Sequence, residues 1–203
     1  ILLFISIISL IFCVQKNINE QSVNKEDGKY IYYDENGKIK EEGSIKNGKK
    51  DGELIKYYEN GQMSLKMYYK NGRYDGILTS YYENGQLKEK VNWINDIQQG
   101  KGIGYFENGQ LKYEGNFKNG RWDGKWIWYY ESGKILSESN YFRGKLEGKS
   151  INFYENGKKK HESNYKECCD NRGRPIKDGK WIYYNEEGRI IKEEIYKNNE
   201  LID

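Results

Sequence analysis

A repeat constrains this chain more than any other feature. Asp-Gly, or its variants Gln-Gly and Glu-Gly, opens units at Asp27, Asp51, Asp75, Gln99, Asp123 and Glu147, each 24 residues after the last. A seventh start, Asp178-Gly179, comes seven residues late, which places an insertion in the sixth copy. Counting each start as offset zero, offset ten is glycine in every copy: Gly37, Gly61, Gly85, Gly109, Gly133, Gly157 and Gly188. Offset six is aromatic (Tyr33, Tyr57, Tyr81, Tyr105, Tyr129, Phe153, Tyr184), and offset eighteen runs Ile45, Tyr69, Trp93, Phe117, Tyr141, Tyr165, Tyr196. Seven units in one phase imply stacked copies of one supersecondary motif, each burying its apolar side against its neighbours.

The motif reads as a β-hairpin. Glu-Asn-Gly at Glu59-Asn60-Gly61, Glu83-Asn84-Gly85 and Glu107-Asn108-Gly109 lies between runs rich in aromatic and aliphatic residues. Asn and Gly accept the positive φ that tight hairpin turns require. A second Asn-Gly closes several copies (Asn47-Gly48, Asn71-Gly72, Asn119-Gly120). Between turns the apolar positions follow period two, so Ile127 is expected to share a face with Tyr129, and Ile135 with Tyr141. A glycine roughly every dozen residues would break helices of useful length. The expectation is an all-β chain, an elongated single-layer antiparallel meander of repeated hairpins with two strands per copy.

The pattern Asp-Gly-x-Trp-x-x-Tyr-Tyr-Glu-x-Gly-Lys, complete at Asp123 to Lys134, resembles the MORN repeat variant, found in bacterial proteins labelled as antitoxins of the YwqK family. The resemblance covers about Asp27 to Asn199. It implies an open, twisted sheet and supplies no catalytic residues to carry over. A second resemblance is to the aromatic hairpins of cell-wall choline- and glucan-binding repeats, carried by Trp126-Ile127-Trp128-Tyr129-Tyr130. Those repeats are shorter, and their Trp is more regular.

Ahead of the repeats, Ile1 to Val14 is apolar apart from two serines and a cysteine, the length of a signal-peptide core and short for a membrane span. It begins without Met or a basic flank, so it reads as the remainder of a longer leader. Leu10-Ile11-Phe12-Cys13 resembles a lipobox, with bulky Phe12 where a small residue is usual, and makes Cys13 the candidate lipid-attachment residue. An uncleaved anchor or a cut elsewhere are the alternatives. All three point to export or membrane attachment rather than the cytoplasm, and the expected location is the cell envelope, with the chain exported and membrane-anchored. Residues 15–26 are polar and aperiodic, a tether. Residues 27–203 form one repeat domain with an insert near 167–177.

Hydrophobic content of 36% is low, while aromatic content of 15%, with 20 tyrosines, supplies rings for cross-strand ladders. Lys and Arg total 34 against 31 Asp and Glu, for a net charge of +3, and the signs alternate along the strands. That alternation argues against nucleic acid, which selects for concentrated basic residues.

No catalytic constellation emerges. The single histidine, His161, sits at offset fourteen and reads as an ordinary surface strand residue. The pairs Glu41-Glu42, Glu186-Glu187 and Glu193-Glu194 are adjacent, so in a strand their carboxylates face opposite sides. Gly100-Lys101-Gly102-Ile103-Gly104 mimics a phosphate loop, but no helix follows. Cys168-Cys169 in the insert lacks the spacing of a zinc site, so no metal and no cofactor is expected. The expectation is a protein that is not an enzyme.

The remaining candidate site is a surface. Tyr58, Tyr82, Phe106, Tyr130 and Tyr154, with Trp126 and Trp128, would line the face opposite the offset-four and offset-six ladder. A row of aromatics suits a protein partner or sugar rings. With no second layer, the same rings are equally expected as core on both faces. The reading is a non-catalytic, envelope-anchored scaffold for protein–protein interaction, of antitoxin or immunity type with a toxin as one candidate partner. The alternative is a cell-wall carbohydrate-binding module.

Overall fold

The computed structural model describes residues 27–170 and 173–203, with side chains of the strand Lys159–Cys169 described as far as Lys166. Eighteen strands, from Gly28–Tyr33 to Glu200–Leu201, form one open antiparallel sheet, and there is no helix among the described residues. Each long strand pairs with the long strands before and after it, and the short segments Lys49–Lys50, Arg73–Tyr74 and Pro175–Lys177 pair with the long strand that precedes them, so the topology is a plain meander.

Both turns of each unit follow from their residues. At the first, in the second copy, the Tyr58 amide donates to the Gln62 carbonyl at 2.8 Å, Gly61 donates back to Tyr58 at 2.9 Å, and Asn60 Oδ1 accepts from the Gln62 amide at 2.9 Å. At the second turn, both central residues have positive φ (Asn71 51°, Gly72 82°), the geometry whose twist matches the strands it joins.

Each hairpin also carries a bulge. In the fifth copy Trp128 pairs with Ser137 but Tyr129 pairs with Ile135, so the residue at offset thirteen, Leu136, is extra. The same slip occurs between Tyr32 and Tyr33, between Lys56 and Tyr57, and between Ser80 and Tyr81. This bulge corrects the period-two expectation. Offset twelve pairs with offset six, and the inserted residue puts it on the face opposite offset eighteen. Ile135 and Tyr141 therefore do not share a face.

The two faces are built differently. One, the ring face, carries offsets three, five, fourteen, sixteen and eighteen. Its core is Val91, Phe117 and Trp126, with Trp93, Tyr113, Trp122, Trp128 and Tyr141 packed against them. Leu54, Met67 and Ile45 continue it towards the first copy, and Trp181 towards the last. A single layer can bury a tryptophan because the rings lie down. A Cβ at Gly115 would stand 2.2 Å from the Trp126 ring, and one at Gly104 would stand 2.3 Å from Tyr113. The rings also meet edge to face, Phe117 with Trp126 at 5.1 Å and Trp122 with Tyr141 at 4.9 Å.

The other face, the zipper face, carries offsets two, four, six, fifteen and seventeen. Lys125 pairs with Glu138 at 3.0 Å, Lys101 with Glu114 at 3.1 Å and Lys180 with Glu193 at 2.8 Å. Half-buried isoleucines, Ile103, Ile127, Ile151 and Ile182, run beside these pairs.

Candidate interaction surface

The aromatic row at offset seven lies at the Glu-Asn-Gly edge of the sheet, one residue past the first strand of each copy. Tyr58 Oη donates to the Tyr81 carbonyl at 2.6 Å, Tyr82 to Tyr105 at 2.8 Å, Tyr130 to Phe153 at 2.8 Å and Tyr154 to Tyr184 at 2.8 Å. Every one of these acceptors belongs to the following copy, so the tyrosines staple neighbours together. Asn60, Asn84, Asn108 and Asn156 do the same from offset nine, to the carbonyls of Glu83, Glu107, Glu131 and Glu186. Phe106 has no hydroxyl, and the Lys112 ammonium lies 5.5 Å from its ring centroid. Lysines also cover Tyr82 (Lys88, 5.4 Å) and Tyr154 (Lys160, 5.5 Å).

The two tryptophans sit elsewhere. Trp126 is 1% exposed in the centre of the ring-face core, where its Nε1 donates to the Asn116 carbonyl at 3.1 Å. It presents nothing to a ligand, because Gly115 lets it lie flat against the neighbouring strand. Trp128 is half-buried on the same face, directly paired with Tyr113 on one side and Ser137 on the other. The seven aromatics thus divide between one edge and one face. Cys13 lies outside the described residues, as do the side chains of Cys168 and Cys169.

His161 is not the surface residue its offset suggests. Its ring is half-buried, stacked 4.9 Å from Tyr183 and tilted 5.0 Å from Trp181. Its Nδ1 faces the Asn152 amide nitrogen at 3.4 Å, while Nε2 is buried without a hydrogen-bond partner among the described residues. Burial, with Lys177 adding to it, pushes its pKa below the ordinary 6.5 despite Glu194 nearby.

The carboxylates of the zipper face bind copies together. Tyr57 Oη donates to Glu42 at 2.5 Å, Tyr129 to Glu114 at 2.9 Å and Tyr184 to Glu162 at 2.7 Å, in each case reaching the preceding copy. The Glu42 bond, with some burial, pushes Tyr57 up to about 12. Glu162 is buried, which opposes its charge, but Lys149, Lys159 and the Tyr184 hydroxyl prevail and hold it down at about 2. Glu41 and Glu42 divide as adjacent strand residues should, Glu41 accepting from Tyr30 and Lys50 and Glu42 from Tyr57.

A feature that reading along the chain missed lies at the opposite, Asn-Gly edge. Offsets nineteen and twenty-two flank that turn and are mostly basic: Lys46 and Lys49, Lys70 and Arg73, Lys118 and Arg121. In the third unit the same two positions are Ile94 and Ile97, which are 48% and 44% exposed. Phe142, 47% exposed, stands at offset nineteen of the fifth copy. Aligning the copies as columns exposes both departures.

No group of three or more His, Cys, Asp or Glu side chains able to hold a metal occurs among the described residues. No helix there is long and apolar enough to cross a membrane. A cleft of about 310 Å³ between the first two copies, walled by Lys29, Ile31, Glu42, Glu53 and Ile55, is shallow and belongs to the zipper face.

Among curated proteins none matches this chain. Of 41 matching chains in solved structures, one lies in the crystal structure of TcdB2-TccC3-Cdc42, at 12% identity and a TM-score of 0.19. That match covers 87% of this chain, which spans 13% of the other. The MORN repeat variant family matches in seven segments, at residues 26–47, 50–71, 74–95, 98–119, 122–142, 146–167 and 177–198. These segments take in well over half of the sequence and coincide with the seven hairpin units, so the chain belongs to the MORN repeat variant family.

Proposed function

We propose that this chain is a non-catalytic scaffold that binds a protein partner at the cell envelope, held there through its N-terminal segment, in an antitoxin or immunity role. MORN repeats are in general protein-interaction or scaffold modules. The observation that carries the reading is the single layer itself. The ring face is closed over by its own aromatic rings, whereas the zipper face and the Asn-Gly edge repeat half-exposed and exposed side chains along the whole array. Long, regular surfaces of this kind are what repeat proteins use to hold partners. The non-catalytic part of the reading is supported by Glu42, Glu114 and Glu162, whose carboxylates are engaged in holding copies together. The carbohydrate alternative loses both tryptophans as open platforms, since Trp126 is core and Trp128 is half-buried against it, and the scaffold is preferred for that reason.

The test is cross-linking in native cells, followed by purification of the full chain and identification of co-purifying proteins. A stoichiometric partner is the expected result; wall glycan in place of any protein would overturn the reading. Fractionation with fatty-acid labelling, comparing the chain with Cys13→Ala, tests the anchor. Label that disappears in Cys13→Ala supports attachment, and unlabelled cytosolic protein would refute it.

A further inference from the structure

We propose that the row formed by Lys70, Arg73, Ile94, Ile97, Lys118 and Arg121 is a docking strip for an acidic protein segment carrying one apolar anchor residue, an inference that rests on the scaffold reading above. Lys70 pairs directly with Arg73, Ile94 with Ile97 and Lys118 with Arg121, so both members of each rung project from the same face. The rungs are continuous. A Cβ on Gly72 would stand 3.5 Å from the Lys49 side chain, one on Gly120 3.7 Å from Ile97, and one on Gly144 3.5 Å from Arg121. Each offset-twenty-two side chain therefore leans on the turn of the next copy, and Arg73 does the same, with its Nε 3.9 Å from Asp96.

The strip is charged because of its two-dimensional arrangement. Signs alternate along the chain, but equal offsets stack into columns, and these columns are cationic. Lys70, Lys118 and Arg121 form no ion pair among the described residues. Arg73 has only its long contact to Asp96, whose other oxygen accepts the Tyr74 amide at 2.8 Å. Of the aspartates at this edge, Asp51 accepts from the Asn71 amide at 2.9 Å and Asp178 from the Asn198 amide at 3.2 Å. The exposed isoleucine rung thus lies between two cationic rungs.

This arrangement specifies the occupant. Successive rungs are two strands apart, about 10 Å, and a polyproline-II chain covers that distance in about three residues, one full turn, so that residues three apart face the same way. The matching segment has an apolar residue with acidic residues about three positions to either side. A phosphate backbone offers nothing to the isoleucine rung, whereas one protein segment supplies both chemistries.

The test uses the full chain and a fluorescent synthetic peptide with a central Phe and paired glutamates spaced in this way. Anisotropy should show saturable binding that weakens at high salt. Arg73→Glu with Arg121→Glu, and separately Ile94→Ser with Ile97→Ser, should each weaken it at least tenfold while leaving the circular dichroism spectrum and melting point unchanged. A peptide with Gln for Glu should not bind. Absence of binding by the unmodified chain, or undiminished binding by either double variant, would overturn the assignment. So would binding to anionic phosphatidylserine vesicles without binding to the peptide, since the strip would then recognise a lipid surface. The in-cell cross-link separates the two readings: a partner still captured by the Arg73→Glu, Arg121→Glu chain removes the strip and leaves the scaffold standing, whereas no partner with either chain removes both.

Discussion

The glycine at offset sixteen in the fourth copy shows how a single residue supports a one-layer core. Gly115 has no need of an unusual backbone; its role is to leave space. The Trp126 ring occupies the volume where a Cβ would stand, 2.2 Å from its nearest atom, and packs there against Phe117 and Trp122. Gly102 and Gly104 give the same clearance to Phe117 and Tyr113. Gly115→Ala must therefore lift the indole off the strand, in a core with no second layer to absorb the shift. A loss of about 1–3 kcal/mol, the usual cost of overpacking, is expected. Urea denaturation followed by tryptophan emission measures it, with the native spectrum shifting to the red. An unchanged midpoint would mean that the ring does not rest where the structure places it.

At the scale of the hairpin, inter-copy contacts carry a pH dependence that can be assigned. Glu162 sits between the sixth and seventh copies, bonded to Lys159 at 2.7 Å, to Lys149 and to the Tyr184 hydroxyl. Its folded pKa, about 2, lies below the ordinary 4.5. The unfolded chain thus takes up a proton before the folded one does. Stability from this group is complete above about pH 4.5 and is lost as pH falls towards 2. Hydrogen exchange should show residues 177–203 losing protection across that window in the native chain. Glu162→Gln should start lower and change less over the same range; a parallel decline in both proteins would assign the effect to other groups. Tyr184 was visible in the sequence as a member of the offset-six column, and so were the turns, the repeat and the meander. The bulge at offset thirteen was not visible, because Leu136 differs in no chemical way from a paired strand residue. Missing it assigned Ile135 and Tyr141 to one face. Trp126 was assigned to the face it occupies, but its burial there was not legible: burial on a single layer depends on Gly115 in the adjacent strand, which periodicity within one strand does not register. The basic columns flanking the Asn-Gly turns were hidden by reading charge along the chain rather than across it.

Across the whole molecule, stability should behave as a sum of units and their joints, but the joints are not equivalent. Each copy presents offset sixteen to offset three of the next, and the residues there are matched in size: Met67 precedes Leu78, while Gly115 precedes Trp126. Removing residues 51–74 joins Lys50 to Asp75 and sets Gly43 against Leu78, a leucine at the same offset as the Leu54 it faces in the intact chain. The Glu42 carboxylate then meets Tyr81, which has the same offset as the Tyr57 it loses. Removing residues 99–122 keeps the repeat phase equally well but sets Val91 against Trp126, where the ring needs a glycine, and Lys90 against Tyr129 in place of Glu114. The first deletion should yield a folded, cooperatively melting sheet with a modestly lower melting point. The second should lose cooperative melting or expose the indole to quenching by iodide. Both remove one full unit, so a model in which only the number of copies matters predicts the same outcome for each. Equal melting curves would therefore show that the copies stack through their backbones and staples alone, and that the fit of the rings to their glycines contributes little to holding the array together.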